Sequence, residues 1–114
     1  MHRATSVAGM AQIAYVVKLT AAEGKRDEAL AALGKLVAAT EDEPGTVQYL
    51  MHTEVNEPNV IWFYELYADQ AAFETHVASP TMAEVMGSLG GVLDGPADMR
   101  QLDVVLRKDE GEAG

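Results

Sequence analysis

A chain of 114 residues, 48% hydrophobic and 23% charged, has the size and composition of one globular domain that can bury a single modest core. Eighteen acidic against eight basic residues give a formal charge of -10, which repels phosphate backbones and anionic membrane surfaces and argues against nucleic acid and membrane as partners. No apolar run approaches the ~18 residues of a spanning helix, and the absence of cysteine removes disulfides, thiolate nucleophiles, zinc-thiolate sites and iron-sulfur clusters, leaving histidine, carboxylates and tyrosines to carry any chemistry.

The opening "MHRATSVAGM" has no apolar segment of the ~7 to 15 residues found in a secretory signal. Residues 1–9 therefore read as a flexible extension, 10–106 as the domain and 107–114 as a disordered charged tail, with the cytoplasm as the default location. "QIAYVVKL", 12–19, is a β-branched apolar run that reads as a first strand. From Lys25 the period changes: Ala29, Leu30, Leu33, Leu36, Val37 and Thr40 recur at spacings of three and four, with Asp27 and Glu28 in the first turn, where the helix dipole favours acids. "EDE", 41–43, reads as a solvated acidic run, and Pro44 and Gly45 stop the helix.

"TVQYLMHTEV" alternates Val47, Tyr49 and Met51 with Gln48, Leu50 and His52, and "NEPN", 56–59, turns the chain into a third strand, "VIWFYELY". So short a connection makes the two an antiparallel hairpin. Asp69 caps a short helix over "QAAFETHVA", and Ser79 with Pro80 starts another through Met82, Val85, Met86 and Leu89. "DMRQLDVVL" is a last strand with Leu102, Val104 and Leu106 on one face. The order β, α, β, β, α(α), β is that of a ferredoxin-like, split βαβ α+β fold: a four-stranded antiparallel sheet with helices on one face. The other face carries Leu50, Trp62 and Tyr64 and calls for a second subunit to cover it.

The stretches "VVKLTAAEGKRDEALAAL", "EPGTVQY" and "WFYELYADQAAFETHVASP" resemble the antibiotic biosynthesis monooxygenase superfamily, in particular its quinol monooxygenase-like branch. The most specific element is compound: "EPG", a tyrosine four residues past the glycine, then "E-x-Y" and "A-x-x-x-H". The resemblance implies a homodimeric α+β barrel with a pocket between each sheet and its helices. It also implies oxygenation, without bound cofactor, of a phenolic, quinol or polyketide-like aromatic substrate by O2. It assigns Tyr49, Glu65, Tyr67 and His76 to recurrent positions, and it departs at Thr81, where relatives often carry a second histidine. A haem-degrading variant would want an asparagine in the first strand, and "QIAYVVKL" has none.

His76 is suited to be a base because an imidazole ordinarily titrates near neutrality, and Glu65 could fix its tautomer and stabilise the imidazolium. Strand and helix periodicities permit that pairing: Phe63, Glu65 and Tyr67 share one strand face, and Phe73 and His76 one helix face. The candidate site is therefore His76 and Glu65 as catalytic pair, with Tyr49, Phe63, Tyr67, Phe73 and Met86 around the substrate. The same pair could instead be a structural hydrogen bond tying helix to sheet. The corresponding alternative function is a non-catalytic or isomerase-type barrel that binds a small hydrophobic metabolite. No two histidines stand at ligand spacing and "GSLGG" ends a helix, so neither a metal nor a nucleotide cofactor is expected.

Overall fold

The computed structural model describes residues 12–108; the expected N-terminal extension and residues 109–114 of the expected tail lie outside the described residues. In chain order the elements are β1 (Ile13–Thr20), α1 (Arg26–Ala39), β2 (Thr46–Glu54), β3 (Glu57–Tyr67), α2 (Gln70–Val77), α3 (Pro80–Ser88) and β4 (Asp98–Asp103), with a 3-10 turn at Thr40–Asp42. The strands form one antiparallel sheet in the order β2-β3-β1-β4. This is the ferredoxin-like α+β arrangement expected from the element order.

Alternation in the strands decides which side chains meet the helices. Tyr15, Val17 and Leu19 of β1 lie beside Glu65, Phe63 and Ile61 of β3, which in turn lie beside Tyr49, Met51 and Thr53 of β2. On α1, Ala29, Leu33 and Leu36 recur at helical spacing and are buried against this face, joined by Val85 of α3 and by Leu89 and Val92 beyond it. The caps form as expected: the Asp69 carboxylate accepts from the Ala72 amide at 2.9 Å and the Ser79 hydroxyl from the Met82 amide at 3.1 Å.

Three local expectations change. The hairpin connection is only Val55 and Asn56, so Glu57, Pro58 and Asn59 belong to β3. The carbonyls of Pro58 and Asn59 accept from Arg26 Nε at 2.8 Å and the Ala21 amide at 2.7 Å, so these backbone groups have partners outside the hairpin turn. Between Thr46 and Gln48 the β2–β3 register slips by one residue, and Val47 is taken up by the bulge and left exposed instead of sharing the inner face with Tyr49. β4 stops at Asp103 because its partner there is Ile13, the first residue of β1; Val104, Val105 and Leu106 lie past the ladder.

Gly45 has a specific steric reason to be glycine. Its φ is not in the left-handed region, but a Cβ there would fall 2.5 Å from Cβ of Ala72 on α2. The loop entering β2 and the first turn of α2 thus touch backbone to side chain. Gly45→Ala is expected to lower stability by about 1 to 3 kcal/mol, the usual cost of overpacking, read from denaturant midpoints. Adding Ala72→Gly should return most of that loss, less the ~0.5 to 1 kcal/mol of a helical glycine; no recovery would mean that the strain lies elsewhere.

Candidate functional site

The Gly45–Ala72 contact sets up the polar centre. His76 lies one helical turn beyond Ala72, on the same face of α2, and Glu43 lies two residues before Gly45. The imidazole is 2% exposed, and its Nδ1 stands 2.8 Å from Oε1 of Glu43, whose side chain is 13% exposed. The Thr46 hydroxyl donates to the same Oε1 at 2.9 Å. Among the described residues, His76 Nε2 is the one buried side-chain polar atom without a hydrogen-bond partner.

Beside this centre sits a second carboxyl among phenols. Tyr15, Glu65 and Tyr49 are neighbours in one row across the inner sheet face, and the Tyr67 hydroxyl donates to Glu65 Oε1 at 2.7 Å. Burial pushes the Glu65 carboxyl above the usual carboxylate range, an effect partly offset by the Tyr67 hydrogen bond and by the proximity of His76. Burial, followed by the charge of Glu65, raises Tyr49 and Tyr67 far above an ordinary phenol; Tyr15 is raised for the same two reasons. The rings pack closely: Phe73 stacks on Tyr15 with centroids 4.4 Å apart, and His76 lies 5.0 Å from the Tyr49 ring and 5.5 Å from that of Tyr67.

Six of the seven residues singled out from the sequence, namely Tyr49, Phe63, Glu65, Tyr67, Phe73 and His76, come together on the inner face. Met86 does not: it is 48% exposed on α3, and Met82 packs on the core in its stead. The expected hydrogen bond from His76 to Glu65 is replaced by one to Glu43. Glu65 is engaged by Tyr67, two residues along the same strand face, whereas the loop carrying Glu43 abuts α2. The reading of "EDE" as a solvated run therefore holds for Glu41 and Asp42, which are exposed, but fails for Glu43. Thr46 was likewise missed. The usable signal lay in the combination of "EPG" with "A-x-x-x-H", whose glycine and alanine touch and whose glutamate and histidine bond.

The side chains between sheet and helices fill that space, with Tyr67 fully buried and Phe63 3% exposed. Hollows occur elsewhere. One of about 200 Å³ lies against Glu43, Gly45, Thr46 and Ala72, and one of about 210 Å³ on the opposite sheet face is lined by Gln48, Tyr64, Leu66 and residues past β4. Among the described residues no three His, Asp or Glu side chains are grouped to hold a metal, and no helix is long and apolar enough to cross a membrane.

A ferredoxin-like α+β domain with a buried histidine-carboxylate centre is the class that fold and site define. Residues 12–87 match the antibiotic biosynthesis monooxygenase family, and the chain belongs to that family. A proposed antibiotic biosynthesis monooxygenase from Caulobacter crescentus CB15 has a similar structure, with TM-score 0.80 and 24% identity over 92% of this chain and 100% of that one. A protein from Shewanella oneidensis superposes with TM-score 0.76 at 26% identity, covering 82% of this chain and 90% of the other. An uncharacterized protein of Synechocystis is 25% identical over 76 residues, 67% of this chain; the match spans 52% of that relative's length.

The raised Glu65 carboxyl makes a pH-dependent prediction. A carboxyl that holds its proton more tightly when folded stabilises the fold below the ordinary carboxylate range, and that contribution is lost as pH rises through the raised value. Glu65→Gln keeps a carbonyl for Tyr67 yet never ionises. Its melting temperature is expected to gain on wild type between about pH 4 and about pH 8. A difference that stays flat or shrinks with rising pH would show that Glu65 ionises in the fold without penalty.

Proposed function

We propose that the protein is a cytoplasmic, homodimeric, cofactor-independent monooxygenase that oxidises a phenolic, quinol or polyketide-like aromatic substrate with O2, with His76 as its base. The observation that supports this reading is the pairing of a buried, bonded Nδ1 with a buried, unpartnered Nε2 on one imidazole. Membership of a monooxygenase family supports the reaction class.

In the proposed reaction Nε2 takes the proton of a substrate phenol, and the phenolate passes one electron to O2. The resulting radical and superoxide couple at a ring carbon that bears hydrogen, giving a peroxide. Cleavage of its O–O bond leaves a carbonyl on that carbon and expels hydroxide, which includes the former ring hydrogen. Protonation of the hydroxide by the imidazolium gives water and restores the base, so one phenol and one O2 yield one quinone and one water. Glu65 faces the imidazolium charge without bonding it, and Tyr49, Phe63, Tyr67 and Phe73 form the walls; Met86 takes no part.

A specific observation favours a second reading, a non-catalytic or isomerase-type protein that binds a small hydrophobic metabolite. The expected pocket walls occupy the pocket: Tyr67 and Phe63 are buried within the core cluster. Under the first reading a substrate enters past Tyr49, a partly buried ring beside His76. Oxygen uptake against a panel of quinols and anthrone-like phenols, with flavin and haem added in separate controls, separates the two. His76→Asn is expected to lower turnover by roughly 100-fold to 10,000-fold, as for a lost general base; unchanged turnover in a folded variant would remove His76 from catalysis.

The homodimer rests on the outer sheet face, where Val16, Leu50, Trp62, Tyr64 and Leu102 lie on neighbouring strands, opposite the face on which the described helices pack. Leu50 is 45% and Leu102 43% exposed, a patch suited to an isologous partner. Sedimentation should give a dimer at micromolar concentration, and Leu50→Asp should shift it toward monomer. A wild-type monomer would sink the dimeric barrel.

A further inference from the structure

We infer that Glu43, held in place by Thr46, is the positioning residue that locks His76 as its Nδ1–H tautomer, so that Nε2 is a buried acceptor awaiting a hydroxyl donor. The acceptor's use by a substrate phenol rests on the monooxygenase reading; the tautomer lock does not.

Three observations carry the inference. Glu43 Oε1 lies within hydrogen-bond distance of two groups, the Thr46 hydroxyl at 2.9 Å and His76 Nδ1 at 2.8 Å. An ionised carboxylate has acceptors only, so Nδ1 supplies the hydrogen. The imidazole is buried, which leaves its ring little freedom to turn over and exchange the two nitrogens. In the neutral ring the second nitrogen then carries a bare lone pair, and Nε2 is the buried atom without a partner. An acceptor buried in this way is matched by an O–H or N–H donor and by no purely apolar ligand.

The hollow beside Glu43 makes the role separable from folding. It is about 200 Å³ and is bordered by Glu43, Gly45, Thr46, Ala72 and Thr75. Removing the Glu43 side chain extends it toward Nδ1, with room for a small carboxylate to stand in. Glu65 is engaged by the Tyr67 hydroxyl on the same strand face and is not bonded to His76.

The test is long-range proton-nitrogen correlation on uniformly labelled protein at a pH where the imidazoles are neutral, with His76 identified by its loss in His76→Asn. Wild type is expected to show the Nδ1–H form for His76; an Nε2–H form would overturn the proposal without any variant. Glu43→Ala should move His76 toward the Nε2–H form, and added formate should restore Nδ1–H. A tautomer unmoved by Glu43→Ala would overturn the assignment to Glu43. Under anaerobic conditions 1,4-hydroquinone should shift the Nε2 resonance while its dimethyl ether does not; an equal response, or none to either, would overturn the acceptor role. In the oxygen-uptake assay Glu43→Ala should lower kcat by at least tenfold with KM changed less than threefold. A locked tautomer in a protein that consumes no oxygen with any phenol would refute the monooxygenase reading and leave the lock standing.

Discussion

The hydrogen bond from His76 to Glu43 joins the two parts of the chain on which the inner site depends. It spans 33 positions and lands where three backbone segments already converge. Gly45 admits Ala72 at a distance no other residue at 45 would allow. The Gly45 carbonyl accepts from the Ala68 amide at 2.9 Å, which ties the end of β3 to the same loop. The loop before β2, the end of β3 and the start of α2 are thereby mutually fixed. The rings of Tyr49, Tyr67 and Phe73 follow from that placement, since they occupy the strand and helix positions adjoining it.

Two carboxyls a short distance apart face opposite conditions. Glu43 keeps some solvent exposure and has the Thr46 hydroxyl and the His76 imidazole as partners. Glu65 is buried deeper, and the loss of hydration raises its carboxyl despite the Tyr67 bond. Their own burial, and then the charge of Glu65, make Tyr49 and Tyr67 hold their protons more firmly than an ordinary phenol. In the proposed reaction that difference matters. A histidine base surrounded by protein phenols discriminates in favour of an incoming substrate phenol because the protein's own are harder to ionise. The tyrosines can then serve as walls and hydrogen-bond donors without competing for the base.

Much of the fold was legible in the sequence because its signals are local. Apolar alternation in β1 and β3, the three-and-four spacing from Ala29 to Leu36, and the caps at Asp69 and Ser79 each reside within one segment. The errors in the strands came from pairing, which is not local: the bulge at Val47 and the early end of β4 depend on what lies across the ladder. The site divides in the same way. His76, Glu65, Tyr49 and Tyr67 were legible as polar or aromatic residues on inward faces. The choice between two glutamates for His76 was not, because Glu43 lies in an acidic run that looks like a solvated surface and is drawn inward only by the contact between Gly45 and Ala72. Met86 failed for a simpler reason: helical spacing puts it near the core face of α3, and Met82, one turn earlier, takes the inward place.

Energetics help to weigh a structural role for His76 against a functional one. A hydrogen bond to a charged carboxylate contributes about 1.5 to 3 kcal/mol, and an unmatched buried polar nitrogen costs about 1 to 3 kcal/mol. For His76 these two polar terms are of similar size and opposite sign. An apolar side chain of similar volume at 76 would give up both terms, but it would leave Glu43 with only the Thr46 hydroxyl. A glutamine at 43 could complete that exchange at small cost, since replacing a buried charged pair by groups of matching shape is often neutral or favourable. Stability alone therefore gives no reason to place this histidine beside this glutamate in an aromatic core. A ligand that supplies a donor to Nε2 removes the penalty while keeping the carboxylate bond, and in that state the pair is favourable on both sides of the ring. Under the proposed reading the pair is stabilised by such a donor, as expected of a group that recognises a hydroxyl.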